Sequence, residues 1–135
     1  LGYCLSDDRT LLAAMAEEGP PWPVSQLAQQ AGISALQNAP DWPFLVHQQL
    51  EEERRYLSQE LSRLRFHVYP SDSNFLLFQG EEGWRERLLD RGILIRSCAD
   101  FQGLGPGFYR VCVRSRGENK RLIQAIQQER EAFHG

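Results

Sequence analysis

The sequence predicts an α/β protein of the α+β kind: a helical N-terminal part followed by a small, largely antiparallel sheet covered by helices. Two observations carry this reading. Up to Leu64 the apolar residues recur at three- and four-residue spacing, and after Arg65 they alternate or run continuously, the change from helical to strand periodicity. Beyond that point the β-rich runs 74–79, 93–98 and 108–114 are separated by a helix signal and by a glycine-rich connection. The chain therefore divides into residues 1–64 and residues 65–135.

The first element is the apolar run Leu1-Gly2-Tyr3-Cys4-Leu5, which reads as a strand with nothing before it to pair against, so further sequence is expected upstream. Ser6 followed by Asp7 and Asp8 starts a helix, because a side-chain oxygen and early acids satisfy the first amides and the helix dipole; it ends near Gly19. Gly19-Pro20-Pro21-Trp22-Pro23 forms a stiff loop in which Trp22 is the expected anchor, since three prolines fix the backbone and remove donors. A second helix covers 24–37, and Asp41 resembles the N-cap of a long third one running to about Leu64, with Tyr56, Leu57, Leu61 and Leu64 on one packing stripe. Within it, Glu51-Glu52-Glu53 beside Arg54-Arg55 reads as a solvated face.

The second part opens with a short strand over 66–69 and a turn at Pro70-Ser71-Asp72-Ser73. The strand over 74–79 (NFLLFQ) is apolar enough to predict burial on both faces. Trp84, Leu88 and Leu89 mark a helix closed by Arg91 and Gly92. The strands 93–98 and 108–114 pair as a long-looped hairpin across Gly103-Leu104-Gly105-Pro106-Gly107, which joins strand to strand and so is a turn, not a dinucleotide fingerprint. Ser115-Arg116-Gly117-Glu118 fits a capping box, and an amphipathic helix to about Phe133 follows with Leu122, Ile123 and Ile126 inward.

Composition excludes several function classes. With 135 residues, 41 % hydrophobic and 24 % charged, the chain is ordinary globular protein. A net charge of -3 with scattered basic residues argues against nucleic acid. No apolar run approaches the ~20 residues of a membrane span, and no signal peptide opens the chain, so the reading is cytoplasmic. Cys4, Cys98 and Cys112 are odd in number and lack CxxC spacing, which fits small buried thiols; His47, His67 and His134 are dispersed, and no metal site is read.

The residues that could carry chemistry are two arginines. Alternation puts Tyr109, Val111 and Val113 on one face of their strand and Arg110, Cys112 and Arg114 on the other, so Arg110 sits mid-strand in a sheet otherwise built for burial. Its charge needs a partner, either a ligand or a structural acid, and a guanidinium fork matches carboxylate or phosphate bidentately. Arg96 stands at the matching late position of the preceding strand, on the face shared with Leu94 and Cys98. Alone, each fits a structural ion pair; together on adjacent strands they point to an anionic ligand.

The order of the motifs resembles one family: Leu-Gly-Tyr, a helix, Pro-Pro-Trp-x-Val, a long helix, Pro-Ser-x-x-Asn-Phe-Leu-Leu-Phe, Arg-Gly-Ile-Leu-Ile-Arg and Tyr-Arg-Val-x-Val-Arg-x-x-x-Glu-Asn. It is similar to the end of fold-type I pyridoxal-phosphate aminotransferases. Of two branches, histidinol-phosphate aminotransferase and threonine-phosphate decarboxylase of cobalamin synthesis, residues 96–114 (RSCADFQGLGPGFYRVCVR) look more like the decarboxylase. The resemblance implies that 1–64 is the end of the large domain with the long connecting helix, and 65–135 the C-terminal small domain. It makes Arg110 the arginine for the substrate's carboxylate, or for its phosphate in the aminotransferase branch, and Arg96 a second anion-binding arginine. It further implies a small phosphorylated amino acid or amine as substrate, a homodimer for the full-length enzyme, and pyridoxal 5'-phosphate there as electron sink. The family's Schiff-base lysine lies upstream of Leu-Gly-Tyr, and Lys120, the one lysine here, is expected to be exposed. No catalytic, cofactor-binding or metal residue is therefore assigned, no cofactor is expected on this chain, and it is expected to be inactive alone. Pro23 departs from the small polar residue usual in relatives. A different class remains: an anion-binding or structural module without pyridoxal chemistry.

Overall fold

The computed structural model describes residues 1–38 and 41–134, with the side chains of Phe133 and His134 outside the described part. The chain forms two units, Leu1–Pro43 and Phe44–Gly135. Among the described residues no helix is long and apolar enough to cross a membrane.

In the first unit, α1 (Arg9–Glu18) is capped by Asp8, whose carboxylate accepts from Leu11 N at 3.0 Å. The Ser6 hydroxyl instead accepts from Asp8 N, so the cap lies two residues later than the sequence predicts. Helix α2 (Gln26–Asn38) begins with the Ser25 hydroxyl accepting from Ala28 N at 3.3 Å. Neither helix has a buried residue. Two expectations fail here. Leu1 to Leu5 form no strand, because a strand needs a hydrogen-bonding neighbour and no described segment pairs with this one. Trp22 anchors nothing within the unit and is 89 % exposed.

The second unit contains all but the start of α3 (Trp42–Arg63), then β1 (His67–Val68), β2 (Phe75–Gln79), α4 (Trp84–Asp90), β3 (Arg96–Ser97), β4 (Phe108–Cys112) and α5 (Arg116–His134). Both α3 and α4 end in the six-to-one bond typical of a left-handed C-terminal residue: Phe66 N donates to Leu61 O across Arg65 (φ 61), and Ile93 N to Leu88 O across Gly92 (φ 72). The sheet order is β1-β2-β4-β3 with each neighbouring pair antiparallel. Since β2 and β3 both oppose β4, they run parallel to each other, joined through α4, and β4 inserts between them. The expected hairpin of β3 and β4 is present, although β3 is shorter than 93–98.

The core gathers Leu57 and Leu61 of α3, Trp84 and Leu88 of α4, Leu122, Ile123 and Ile126 of α5, and the inward residues of the strands. Each fully buried apolar side chain contributes roughly 1.5–3 kcal/mol. Tyr109 adds a polar tie across this core, its hydroxyl accepting from Trp84 N at 3.3 Å and donating to Glu81 O at 3.1 Å. In β2 only Leu76 and Phe78 are buried, while Phe75 and Leu77 are half-exposed, so burial on both faces is not observed. The helices cover one face of the sheet, and the other carries the arginines.

Glu53 also departs from expectation. Glu51 and Glu52 are exposed, but Glu53 is 8 % exposed and accepts from Arg116 Nε at 2.8 and 3.1 Å and from Asn119 Nδ2 at 2.9 Å. It lies four residues before Leu57 and eight before Leu61, on the packed stripe of α3, which is why it is buried. The predicted capping box forms one half only. The Glu118 carboxylate accepts from Ser115 N at 3.3 Å, while the Ser115 hydroxyl turns to the same carboxylate at 2.7 Å instead of capping an amide. That hydroxyl is the main cause holding the Glu118 carboxyl below its usual range.

Candidate functional site

The β3–β4 register sets Arg96 directly opposite Arg110. Cross-strand partners project to the same face. The β2–β4 register sets Leu77 opposite Arg110 and Phe75 opposite Cys112 on that face, so Phe75 is a diagonal neighbour of Arg110. The Arg110 guanidinium carbon lies 4.4 Å from the Phe75 ring centroid, a cation–π contact that fixes the side chain without using its hydrogen-bond donors.

The two arginines differ in their partners. Arg96 Nη2 donates to Asp100 Oδ2 at 2.5 Å, and its guanidinium carbon lies 5.4 Å from the Phe101 ring centroid. Among the described residues Arg110 has no carboxylate partner, although it is half-buried. Of the two partners the sequence left open for Arg110, a structural acid is thus not supplied by the described residues.

Both arginines line a groove of about 550 Å3. The β3–β4 ladder stops at Arg96 and Arg110, and the groove opens between residues 92–95 and the end of β4, bordered by α5. Arg85, Arg114 and Arg121 also line it. Arg85 pairs with Glu86 at 3.0 Å and Arg114 with Glu118 at 2.6 Å. Glu118 lines the groove too, so cations outnumber acids there, and Arg110 is half-buried with no carboxylate on its fork among the described residues.

Cys98 follows β3 directly, near the two arginine charges. Its side chain is fully buried, unlike Cys4 and Cys112, which are exposed contrary to expectation because the first unit buries little and Cys112 points to the uncovered face. Burial pushes the Cys98 thiol up, and the nearby Arg110 and Arg96 charges pull it only partly back. A raised thiol pKa leaves less thiolate at neutral pH, so Cys98 is expected to resist alkylation in the folded protein while Cys4 and Cys112 react. Mass mapping after brief iodoacetamide treatment checks this; labelling of Cys98 as fast as Cys112 would contradict the buried placement.

The sequence missed Phe75 and Asp100. Phe75 enters through the β2–β4 register, and Asp100 through the turn after β3, four residues beyond Arg96. Alternation within one strand signals neither.

A sequence model of the aminotransferase class I and II family matches residues 1–126. The chain belongs to that family. Its resemblance in sequence extends to the threonine-phosphate decarboxylase of Salmonella typhimurium, 39 % identical over 131 residues, which is 94 % of this chain and 36 % of that protein. The histidinol-phosphate aminotransferase of Methanoculleus marisnigri is 37 % identical over 87 residues, 61 % of this chain and 24 % of that protein. The chain thus spans about a third or less of these family members. Two solved family structures share the fold. The histidinol-phosphate aminotransferase from Clostridium acetobutylicum matches with a TM-score of 0.79 at 23 % identity, over 91 % of this chain and 38 % of that one. The L-threonine-O-3-phosphate decarboxylase from Porphyromonas gingivalis matches with a TM-score of 0.77 at 22 % identity, over 92 % and 40 %.

Full-length members of the family use pyridoxal phosphate. Among the described residues no lysine lines the groove, and Lys120 is exposed on α5.

Proposed function

We propose that the chain is the substrate-binding C-terminal portion of a pyridoxal-phosphate-dependent threonine-phosphate decarboxylase, which converts L-threonine O-3-phosphate to aminopropanol phosphate for cobalamin assembly. The observation that supports it is the pairing in register of Arg96 with Arg110 on the open face of the sheet, with the Arg110 fork lacking a carboxylate partner among the described residues. Arg110 grips the substrate carboxylate, and Arg96 offers a seat to a second anion. Two charge-assisted forks fix a small doubly anionic substrate in orientation as well as place, which lysines could not do. The Salmonella relative, matched along nearly the whole chain, favours the decarboxylase.

In this reading residues 1–64 end the large domain and contribute the long connecting helix, residues 65–135 are the small domain, and the full-length enzyme is a cytoplasmic homodimer. A histidinol-phosphate aminotransferase is the second reading, favoured by the Methanoculleus relative's similar identity over a shorter stretch.

The full-length enzyme, incubated with L-threonine O-3-phosphate, is expected to release carbon dioxide and aminopropanol phosphate. Amino transfer from histidinol phosphate without decarboxylation would select the second reading. Residues 1–135 alone are expected to give neither product and no cofactor-type absorbance, and the gene is expected to encode an S-x-x-K segment shortly before Leu1. An upstream sequence without such a lysine would remove the pyridoxal reading altogether.

A further inference from the structure

We propose that Asp100 is an internal competitor for the anion seat of Arg96: its carboxylate holds the guanidinium while the site is empty and leaves it when a substrate anion binds. The proposal deepens the functional reading above and rests on Arg96 being such a seat.

The asymmetry between the two arginines motivates it. Arg96 and Arg110 are register partners on one face, yet only Arg96 has a carboxylate within the described residues. Like charges directly opposite each other across a ladder are destabilising, and an acid beside one of them offsets the repulsion. Asp100 reaches Arg96 from the connection between β3 and β4, and Phe101 of the same connection lies against the same guanidinium. One loop therefore supplies both the stand-in anion and an apolar support, and only the first occupies a donor that a ligand needs. Arg96 donates to Asp100 through Nη2, so an incoming carboxylate or phosphate that approaches the same edge of the guanidinium competes with Asp100 for that donor and meets its charge.

Exposure decides that the contact can be exchanged. The Arg96 and Asp100 side chains are 51 % and 63 % exposed. An ion pair this wet is screened, and its strength corresponds to at most about a fivefold change in an equilibrium constant. A buried pair would lock Arg96 permanently; this one keeps the guanidinium aimed along the face and yields to a better anion. After displacement the Asp100 charge remains nearby, so a phosphate dianion feels its repulsion more than a carboxylate does.

The test is calorimetric titration of the full-length protein with inorganic phosphate, comparing wild type with Asp100→Asn, Arg96→Gln and the double variant. Asparagine keeps the size of the side chain and removes only its charge. Asp100→Asn is expected to tighten phosphate by about two- to fivefold, and the gain is expected to vanish in the Arg96→Gln background. Phosphate binding that depends on Arg96 but is unchanged or weakened by Asp100→Asn would overturn the proposal and leave the anion seat standing. Phosphate binding indifferent to Arg96→Gln would overturn the seat and the proposal together.

Discussion

Replacing Arg110 by lysine in the full-length enzyme is expected to lower kcat/KM by about 10- to 100-fold, mostly through KM, with little change in folding stability. The magnitude follows from what the substitution removes. Lysine keeps the positive charge but loses the planar fork, so one of two parallel bonds to a carboxylate is lost, and a hydrogen bond to a charged group is worth about 1.5–3 kcal/mol. It also loses the flat contact with Phe75, which lies 4.4 Å from the guanidinium carbon and sets the direction of the fork. Stability is spared because Arg110 is half-exposed on the uncovered face and no carboxylate among the described residues depends on it. Steady-state kinetics beside a thermal melt separates the two effects. Unchanged kinetics, or a large loss of stability with kcat and KM otherwise normal, would make Arg110 a structural residue.

The arginine pair was legible in the sequence because strand alternation is a strict period of two. Once residues 108–114 alternate, Arg110 must share a face with Cys112 and Arg114, and a hairpin brings Arg96 alongside. The helices of the second unit were legible for a similar reason, since Leu57 and Leu61 repeat at four-residue spacing. Glu53 extends that same repeat by one step, so its burial had a signal, but an acid inside a run of three acids reads as solvated until its partners, Arg116 and Asn119, are brought from more than sixty residues away. The strand expected at Leu1 to Leu5 fails on different grounds: β-propensity in a short run describes fitness for a sheet, and pairing belongs to the neighbour. Asp100 escaped notice because a turn residue has no periodicity to place it. The motif order pointed to the family before the fold did.

Asn119→Ala is expected to destabilise the second unit by about 2–4 kcal/mol, the larger of the stability effects anticipated for a single polar side chain here. Asn119 is 2 % exposed and its amide is fully used. Oδ1 accepts from Arg114 N at 3.1 Å, and Nδ2 donates to Arg114 O at 2.8 Å and to Glu53 Oε2 at 2.9 Å. One side chain thus closes the backbone where β4 passes into α5 and ties both to α3. Alanine takes this partner from the part-buried Arg114 amide and carbonyl and removes the buried bond to Glu53, and an unsatisfied buried group costs about 1–3 kcal/mol. Arg116 still reaches Glu53 at 2.8 Å, which limits the loss. The strand held by this tie also carries Arg110, four residues before Arg114, so the same variant is expected to weaken anion binding moderately even at temperatures where it stays folded. Chemical denaturation measures the first effect and phosphate titration the second. A loss below about 0.5 kcal/mol, the range of ordinary surface substitutions, would mean that water replaces the amide and that the junction of β4 with α5 is held by the Glu53–Arg116 pair alone.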